Sequence, residues 1–178
     1  MNVTLHTAEG FFQLRAGAIC VRDERVLLHH ALGDSRWSLP GGRFALSEDS
    51  AATLVREMAE ELHTTATIDR LVATVELCDR GVDGTVFHKV AFYYLVQLPD
   101  VPRSEEPFIG PEVGFPAEFW WCPRRALVSI DIVPASIRSL NAAVPSTYVH
   151  IHAHQAEYVL QHESFIPTDG ETHASPLM

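Results

Sequence analysis

Basic residues are scarce in this chain: 13 Lys and Arg stand against 23 Asp and Glu, a formal charge of −10 at pH 7 with His neutral. A polyanion binds mainly by releasing counterions to a basic surface, so neither DNA nor RNA is an expected polymer partner. A small phosphorylated ligand stays open, because a bound divalent cation can supply the positive charge that side chains do not. Cysteine is sparse too. Cys20, Cys78 and Cys122 are odd in number, widely spaced and form no CxxC pair, which argues against structural disulfides and a zinc ribbon. Cys20 and Cys122 lie in apolar runs and read as small core residues. Met1–Gly10 has neither a basic segment nor an apolar stretch, and no apolar run approaches the length of a membrane span. No signal peptide and no membrane association are therefore expected, and a cytoplasmic location is. Internal repeats and low-complexity segments are also lacking.

What is present describes an ordinary folded domain. A chain of 178 residues that is 47% apolar can bury a proper core. Phe11–Arg22 (FFQLRAGAICVR) reads as a strand, Asp23-Glu24 as a turn, and Arg25–Ala31 as the returning strand. Ser38-Leu39-Pro40-Gly41-Gly42 is a sharp break, and a helix is expected from about Glu48 to Leu62. Ser47 is its expected N-cap, with Glu48 and Asp49 in the first turn, where the helix dipole favours negative charge. Leu71–Leu77 and Val86–Val96 follow as strands joined by a hairpin at Asp83-Gly84. The second is apolar on both faces near its end, which places it centrally in a sheet. Pro99–Pro116 is a long acidic loop of the kind that often carries function. Glu118–Cys122 reads as a strand and Pro134–Ala143 as a second helix, while the segment from Pro145 is left open. Strands interrupted by two helices give a mixed α/β (α+β) sandwich.

The informative segment is Gly42–Thr64, GRFALSEDSAATLVREMAEELHT. On a helix Glu57, Glu60 and Glu61 stand at i, i+3 and i+4 and share one face. The apolar stripe Ala51, Leu54, Val55, Met58 and Leu62 is centred about a third of a turn away. Such a helix can pack into a core while holding three carboxylates over open space. Three like charges so close destabilise a helix, and a hard divalent cation with oxygen ligands would offset that cost. Arg56 can pair with one carboxylate and fix its direction. A merely solvated acidic face is the alternative that composition alone favours.

The spacing to the glycine turn bears on that choice. Gly42, Glu48, Arg56-Glu57, Met58 and Glu60-Glu61 stand in the register of the Nudix signature, and the approach Trp37–Gly42 resembles the lead-in of many members. His63 and Thr64 depart from it, standing where Gly and an aliphatic residue are expected. The resemblance covers about Phe11 to Ala143. It implies a Nudix-type mixed β-sheet sandwiched between helices over residues 1–145, with 146–178 a C-terminal segment ending in a loosely held tail. It implies Mg²⁺ as cofactor, with Mn²⁺ as substitute, and Glu57, Glu60, Glu61 and the Gly42 carbonyl as metal ligands. Arg56, Glu57, Glu60 and Glu48 would be the catalytic set, Arg56 orienting the acidic cluster and Glu48 stabilising the loop–helix–loop or assisting. The reaction implied is attack of water on phosphorus in a nucleoside diphosphate linked to another group. Some members draw the proton acceptor from a later loop, and Glu105, Glu106, Glu112 and Glu118 are the candidates here. A homodimer is compatible with the family. The rival reading is a catalytically inactive, nucleotide-sensing Nudix module; such a protein would be expected to lose box carboxylates or to carry a DNA-binding domain, and the carboxylates kept here make hydrolysis the expectation.

Other features carry less. Arg36 and Arg43 flank the glycine turn and are candidates for substrate phosphates, with solvated surface arginines as the equal alternative. Of Trp120, Trp121, Tyr93 and Tyr94, strand alternation sends one of each pair into the core. Cys78-Asp79-Arg80 contains no clear substrate marker. His150, His152 and His154 would share a face on a strand, but the segment could equally be helical, with His150 and His154 at i, i+4. With no cysteine or carboxylate at ligand spacing, they read as surface residues rather than a zinc site.

Overall fold

A computed structural model describes residues 2–81 and 83–153. The elements are β1 (Thr4–His6), β2 (Gly10–Ile19), β3 (Val21–Arg22), β4 (Arg25–Ala31), β5 (Gly41–Arg43), α1 (Ser50–Leu62), β6 (Thr67–Arg80), β7 (Val86–Gln97), β8 (Phe108–Ile109), β9 (Ala117–Pro123), a 3₁₀ turn (Arg124–Ala126), α2 (Ile137–Ala142) and β10 (Val149–Ala153). One mixed sheet runs β1-β2-β7-β6-β10, with β5 also paired to β2; a second runs β3-β4-β9-β8. The β2–β7 and β6–β10 pairs are parallel. This is the α+β arrangement that the strand order predicts, and β7 lies in the middle of the larger sheet as its apolar faces require.

The expected first strand is split. β2 ends at Ile19, and Val21-Arg22 belong to the other sheet, so the buried Cys20 marks where the chain changes sheets. The hairpin falls at Asp83-Gly84 as anticipated: Gly84 has φ 87°, and the Asp83 carboxylate accepts from the Thr85 backbone N–H at 2.9 Å. The second helix is shorter than expected, beginning at Ile137 rather than Pro134. The segment left open after Pro145 contributes β10, an edge strand on β6.

The described residues form two apolar cores. Leu54, Met58 and Leu62 of α1 pack with Ala16, Ala18, Leu27, Phe119 and Trp121. Ile137 and Leu140 of α2 pack with Ile19, Val26, Leu28, Val75 and Tyr93. Tyr93 and Trp121 are thus the buried members of the two aromatic pairs, while Tyr94 and Trp120 are half-exposed. No helix among the described residues is long and apolar enough to cross a membrane.

The glycine turn and α1 are set against each other by β5. Gly41 and Gly42 pair with Gly17 and Ala16 of β2. Gly41 has φ 135°, and a Cβ there would lie 2.2 Å from the Ala16 carbonyl oxygen, so no other residue fits. α1 starts two residues later than expected. Asp49, not Ser47, is its N-cap, accepting from the Ala52 N–H at 2.8 Å. Glu48 therefore precedes the helix instead of sitting in its first turn, and this frees its side chain to turn back toward Arg56. At the other end His63 takes the left-handed conformation, φ 50°, where the Nudix pattern has glycine. Thr64 is buried and its hydroxyl lies 3.5 Å from an Asp100 carboxylate oxygen.

Candidate active site

Arg56 is the hub of the carboxylate cluster. Its Nε donates to Glu48 at 2.8 Å and 3.1 Å, and one terminal nitrogen donates to Glu48 at 3.0 Å and to the Arg43 carbonyl at 3.0 Å. The other donates to Glu57 at 2.8 Å and Glu60 at 2.9 Å. One planar guanidinium thus fixes three carboxylates and a main-chain oxygen, which a lysine ammonium could not do. Arg56 is held above its already high pKa, chiefly by Glu48. Glu48 is held below the usual carboxylate range, chiefly by Arg56, and it also accepts from the Ala45 N–H and the Thr53 hydroxyl. The hydrogen bonds of Glu48 thus join the turn to the helix.

Glu57 and Glu61 do not stand over open space, as helical spacing alone had suggested. Their side chains are only 14% and 12% exposed, against 49% for Glu60. The side-chain-free surface of Gly42 receives the Glu57 carboxylate, so the carboxylates face the glycine turn rather than bulk water. Glu61 Oε2 is buried with no hydrogen-bond partner among the described residues. Burial, followed by the charges of Glu57 and Glu112, pushes the Glu61 carboxyl well above its ordinary range, with a Gly41 backbone hydrogen bond and Arg15 pulling the other way. His29 Nδ1 lies 3.6 Å from Glu61 Oε1. Burial and then the positive charge of Arg15 hold His29 neutral, its pKa near about 3, so this contact is not an ion pair.

The four loop and strand candidates separate clearly. Glu105 is exposed and paired with Arg25 at 3.2 Å, and Glu118 is paired with His30 at 2.9 Å. Glu106 is exposed. Glu112 alone joins the cluster: burial, then Glu60, then Glu57 raise its carboxyl above the usual range. Its loop is brought there by Gly110, where a Cβ would meet the Glu61 carbonyl at 2.8 Å. Arg43 is exposed beside Gly42, whereas Arg36 bonds to Asp34 through both its backbone N–H (2.9 Å) and its Nε (3.3 Å). Arg15 and His29 were not singled out from the sequence, although Arg15 is a charged residue within an otherwise largely apolar strand.

The residues suit a hard divalent cation. Glu61 Oε2 is buried with no partner among the described residues, and the side chains offered are carboxylates, the oxygen donors a hard divalent cation takes. The His/Cys/Glu groupings of metal-ligand geometry elsewhere among the described residues involve a different patch of the sheet.

An α+β sandwich with an arginine-centred carboxylate helix behind a glycine turn defines a class, and comparison with known proteins agrees. The NUDIX domain family model matches residues 11–142. The chain is 30% identical over 129 residues to the CTP pyrophosphohydrolase of Escherichia coli (strain K12), a match covering 70% of this chain and 86% of that protein. It is similar to the solution structure of the E. coli ORF135 protein, at TM-score 0.50 and 26% identity over 76% of this chain and 95% of that one. A mutator MutT protein from Bacillus halodurans shares the fold at TM-score 0.57 and 17% identity, over 80% and 90% of the two chains. The chain belongs to the Nudix hydrolase family. It is an enzyme of a family that generally uses divalent metals.

Proposed function

We propose that the chain is a Mg²⁺-dependent nucleotide pyrophosphohydrolase, with Mn²⁺ able to substitute, cleaving a phosphoanhydride bond of a nucleoside diphosphate linked to another group. The observation that carries this reading is the seat of the Glu57 carboxylate against Gly42, with Arg56 holding Glu57 and Glu60 in place and the buried Glu61 on the same helix. Glu57, Glu60, Glu61 and the Gly42 carbonyl would hold the metal. Bound there, the cation supplies charge neutralisation of phosphate oxygens and a more acidic water.

The chain's own residues do the rest. Arg56 fixes the carboxylates so that no reorganisation is needed when substrate arrives. Glu48 acts through Arg56 as a positioning residue. Glu112, whose carboxyl is raised above its ordinary range by burial and by Glu60 and Glu57, is the group we assign to accept the proton of the attacking water. Arg43, exposed next to the glycine turn, is better placed than the Asp34-bound Arg36 to meet a substrate phosphate.

The relative 30% identical to this chain is named for CTP, so pyrimidine nucleoside triphosphates head the substrate panel, with ADP-ribose, nucleotide sugars, dinucleoside polyphosphates and coenzyme A after them. Each is incubated with Mg²⁺ or Mn²⁺, and product is read as phosphate released by a coupling phosphatase. Metal-dependent release from at least one nucleotide is expected. Nucleotide binding without release from any would favour the sensing module instead.

A further inference from the structure

The larger sheet carries a second cluster of metal-ligating side chains, unrelated to the carboxylates of α1. β10 alternates: Val149, Ile151 and Ala153 pack into the α2 core, so His150 and His152 project from the opposite face. β10 runs parallel to β6 with His150 beside Thr74 and His152 beside Glu76. On the far side of β6, His88 of β7 stands opposite Cys78. Three strands thus bring Glu76, Cys78, His88, His150 and His152 to one patch. The ligand atoms of Glu76, His150 and His152 all lie within 4.8 Å of one another, as do those of Glu76, Cys78 and His88.

The distances distinguish two kinds of contact. His88 Nε2 is 3.1 Å from Glu76 Oε1, an ordinary hydrogen bond. His150 Nε2 and His152 Nδ1 are each 3.5 Å from the other oxygen, Oε2, too long for good hydrogen bonds, and their rings lie 4.5 Å apart. Two ligand atoms bound tetrahedrally to one ion at about 2.0–2.1 Å are separated by roughly 3.4 Å. The Oε2–imidazole spacings therefore match a shared ion better than direct bonding. The carboxylate is already aimed, because His88 holds its remaining oxygen as an outer partner of a metal ligand does.

We propose that Glu76 Oε2, His150 Nε2 and His152 Nδ1 form a binding site for a divalent transition-metal ion of the Zn²⁺ class, with a fourth position that these three side chains leave to another ligand. Two imidazoles and one carboxylate suit such an ion, whereas the all-oxygen cluster on α1 suits a harder one. The two sites would thus sort metals by ligand chemistry. The ion would tie the edge strand β10 to β6 and stabilise that docking by an amount that grows with the logarithm of free metal above its dissociation constant.

The test uses the full chain and its Glu57→Gln/Glu61→Gln variant, which removes two carboxylates from the α1 cluster. Zn²⁺ binding is measured by titration calorimetry, and Co²⁺ binding by its visible absorption. One Zn²⁺ equivalent should persist in the Glu57→Gln/Glu61→Gln variant, and Co²⁺ should give the intense bands of tetrahedral coordination. His150→Gln, His152→Gln and Glu76→Gln should each weaken it by about tenfold or more, while the far-UV circular dichroism and melting temperature of the metal-free protein stay as in the parent. His152 is 68% exposed, so its replacement isolates the ligand from the fold. Loss of Zn²⁺ binding on removing Glu57 and Glu61, or unchanged affinity in the His150, His152 and Glu76 variants, would overturn the proposal. Neither result depends on hydrolytic activity.

Discussion

The carboxylate of Glu57 fills the space that a side chain on Gly42 would need: a Cβ there would lie 2.2 Å from the Glu57 carboxyl carbon and 2.3 and 2.4 Å from its oxygens. The glycine is thus required by a neighbour on another element rather than by its own turn. Gly42→Ala must push Glu57 away from Arg56 and from the other carboxylates. Turnover is expected to fall by about a hundredfold, as for loss of a well-placed charge-stabilising group. The melting temperature should change little, because the displaced atoms are the end of a flexible side chain. Full activity in Gly42→Ala would show that Glu57 is not used where it stands.

Glu112 is the loop acid that faces the cluster, and its environment separates it from its neighbours. Glu112→Gln should lower kcat by about 10²–10⁴, the range for a general base. Glu105→Gln and Glu106→Gln, both at exposed positions, should leave kcat essentially unchanged. Loss of activity in either of these, with Glu112→Gln active, contradicts the assignment.

His63 sits at φ 50°, a conformation that glycine enters freely and histidine does not. His63→Gly should stabilise the protein by up to about 1 kcal/mol, part of the gain being returned through the greater freedom of the unfolded chain. Urea denaturation reads this as a higher midpoint at unchanged slope. A lower midpoint would mean that the histidine side chain makes contacts worth more than the strain.

Burial pushes the Cys20 and Cys122 thiols up from 9.0 to about 11 in each case. The folded state therefore favours the protonated thiols. Their contribution to stability is complete below pH 9 and is lost as pH rises toward 11. The thiolate is the reactive form, so at pH 8 each should be alkylated about a hundredfold more slowly than an ordinary cysteine, before its inaccessibility is counted. Mass mapping after brief iodoacetamide treatment should find Cys78 modified first. Cys78 is itself slowed somewhat, by burial and by Glu76, but it is partly exposed. Early labelling of Cys20 or Cys122 in the native protein would contradict the packing described.

The helix and the glycine turn were legible because their chemistry is written in local spacing: a 3.6-residue period places Glu57, Glu60 and Glu61 together whatever surrounds them. The hairpin at Asp83-Gly84 was legible for the same reason. The N-cap differs from expectation because Ser47 and Asp49 are both good capping residues; Ser47 takes a positive φ of 71°, and Asp49 makes the cap bond. Arg15, His29 and Glu112 reach the site only through the pairing of β2 with β5, the position of β4 and the packing of Gly110 on α1. No local pattern encodes those distances. Likewise, His150 and His152 were visible as an alternating pair, but the carboxylate that joins them comes from β6 and is set by a parallel strand register. His154 lies outside the described residues.

The central claim is that the carboxylates of α1 hold a divalent metal for hydrolysis. The most direct measurement is steady-state turnover of Glu61→Gln, on whichever nucleotide the parent hydrolyses, as a function of Mg²⁺ concentration and with folding checked by circular dichroism. Glu61 Oε2 is buried without a partner among the described residues, and Gln conserves its shape while replacing the carboxylate with an amide. The account predicts a folded protein whose Mg²⁺-dependent turnover is lost by about a hundredfold or more even at saturating metal. Turnover and Mg²⁺ dependence equal to those of the parent would contradict it.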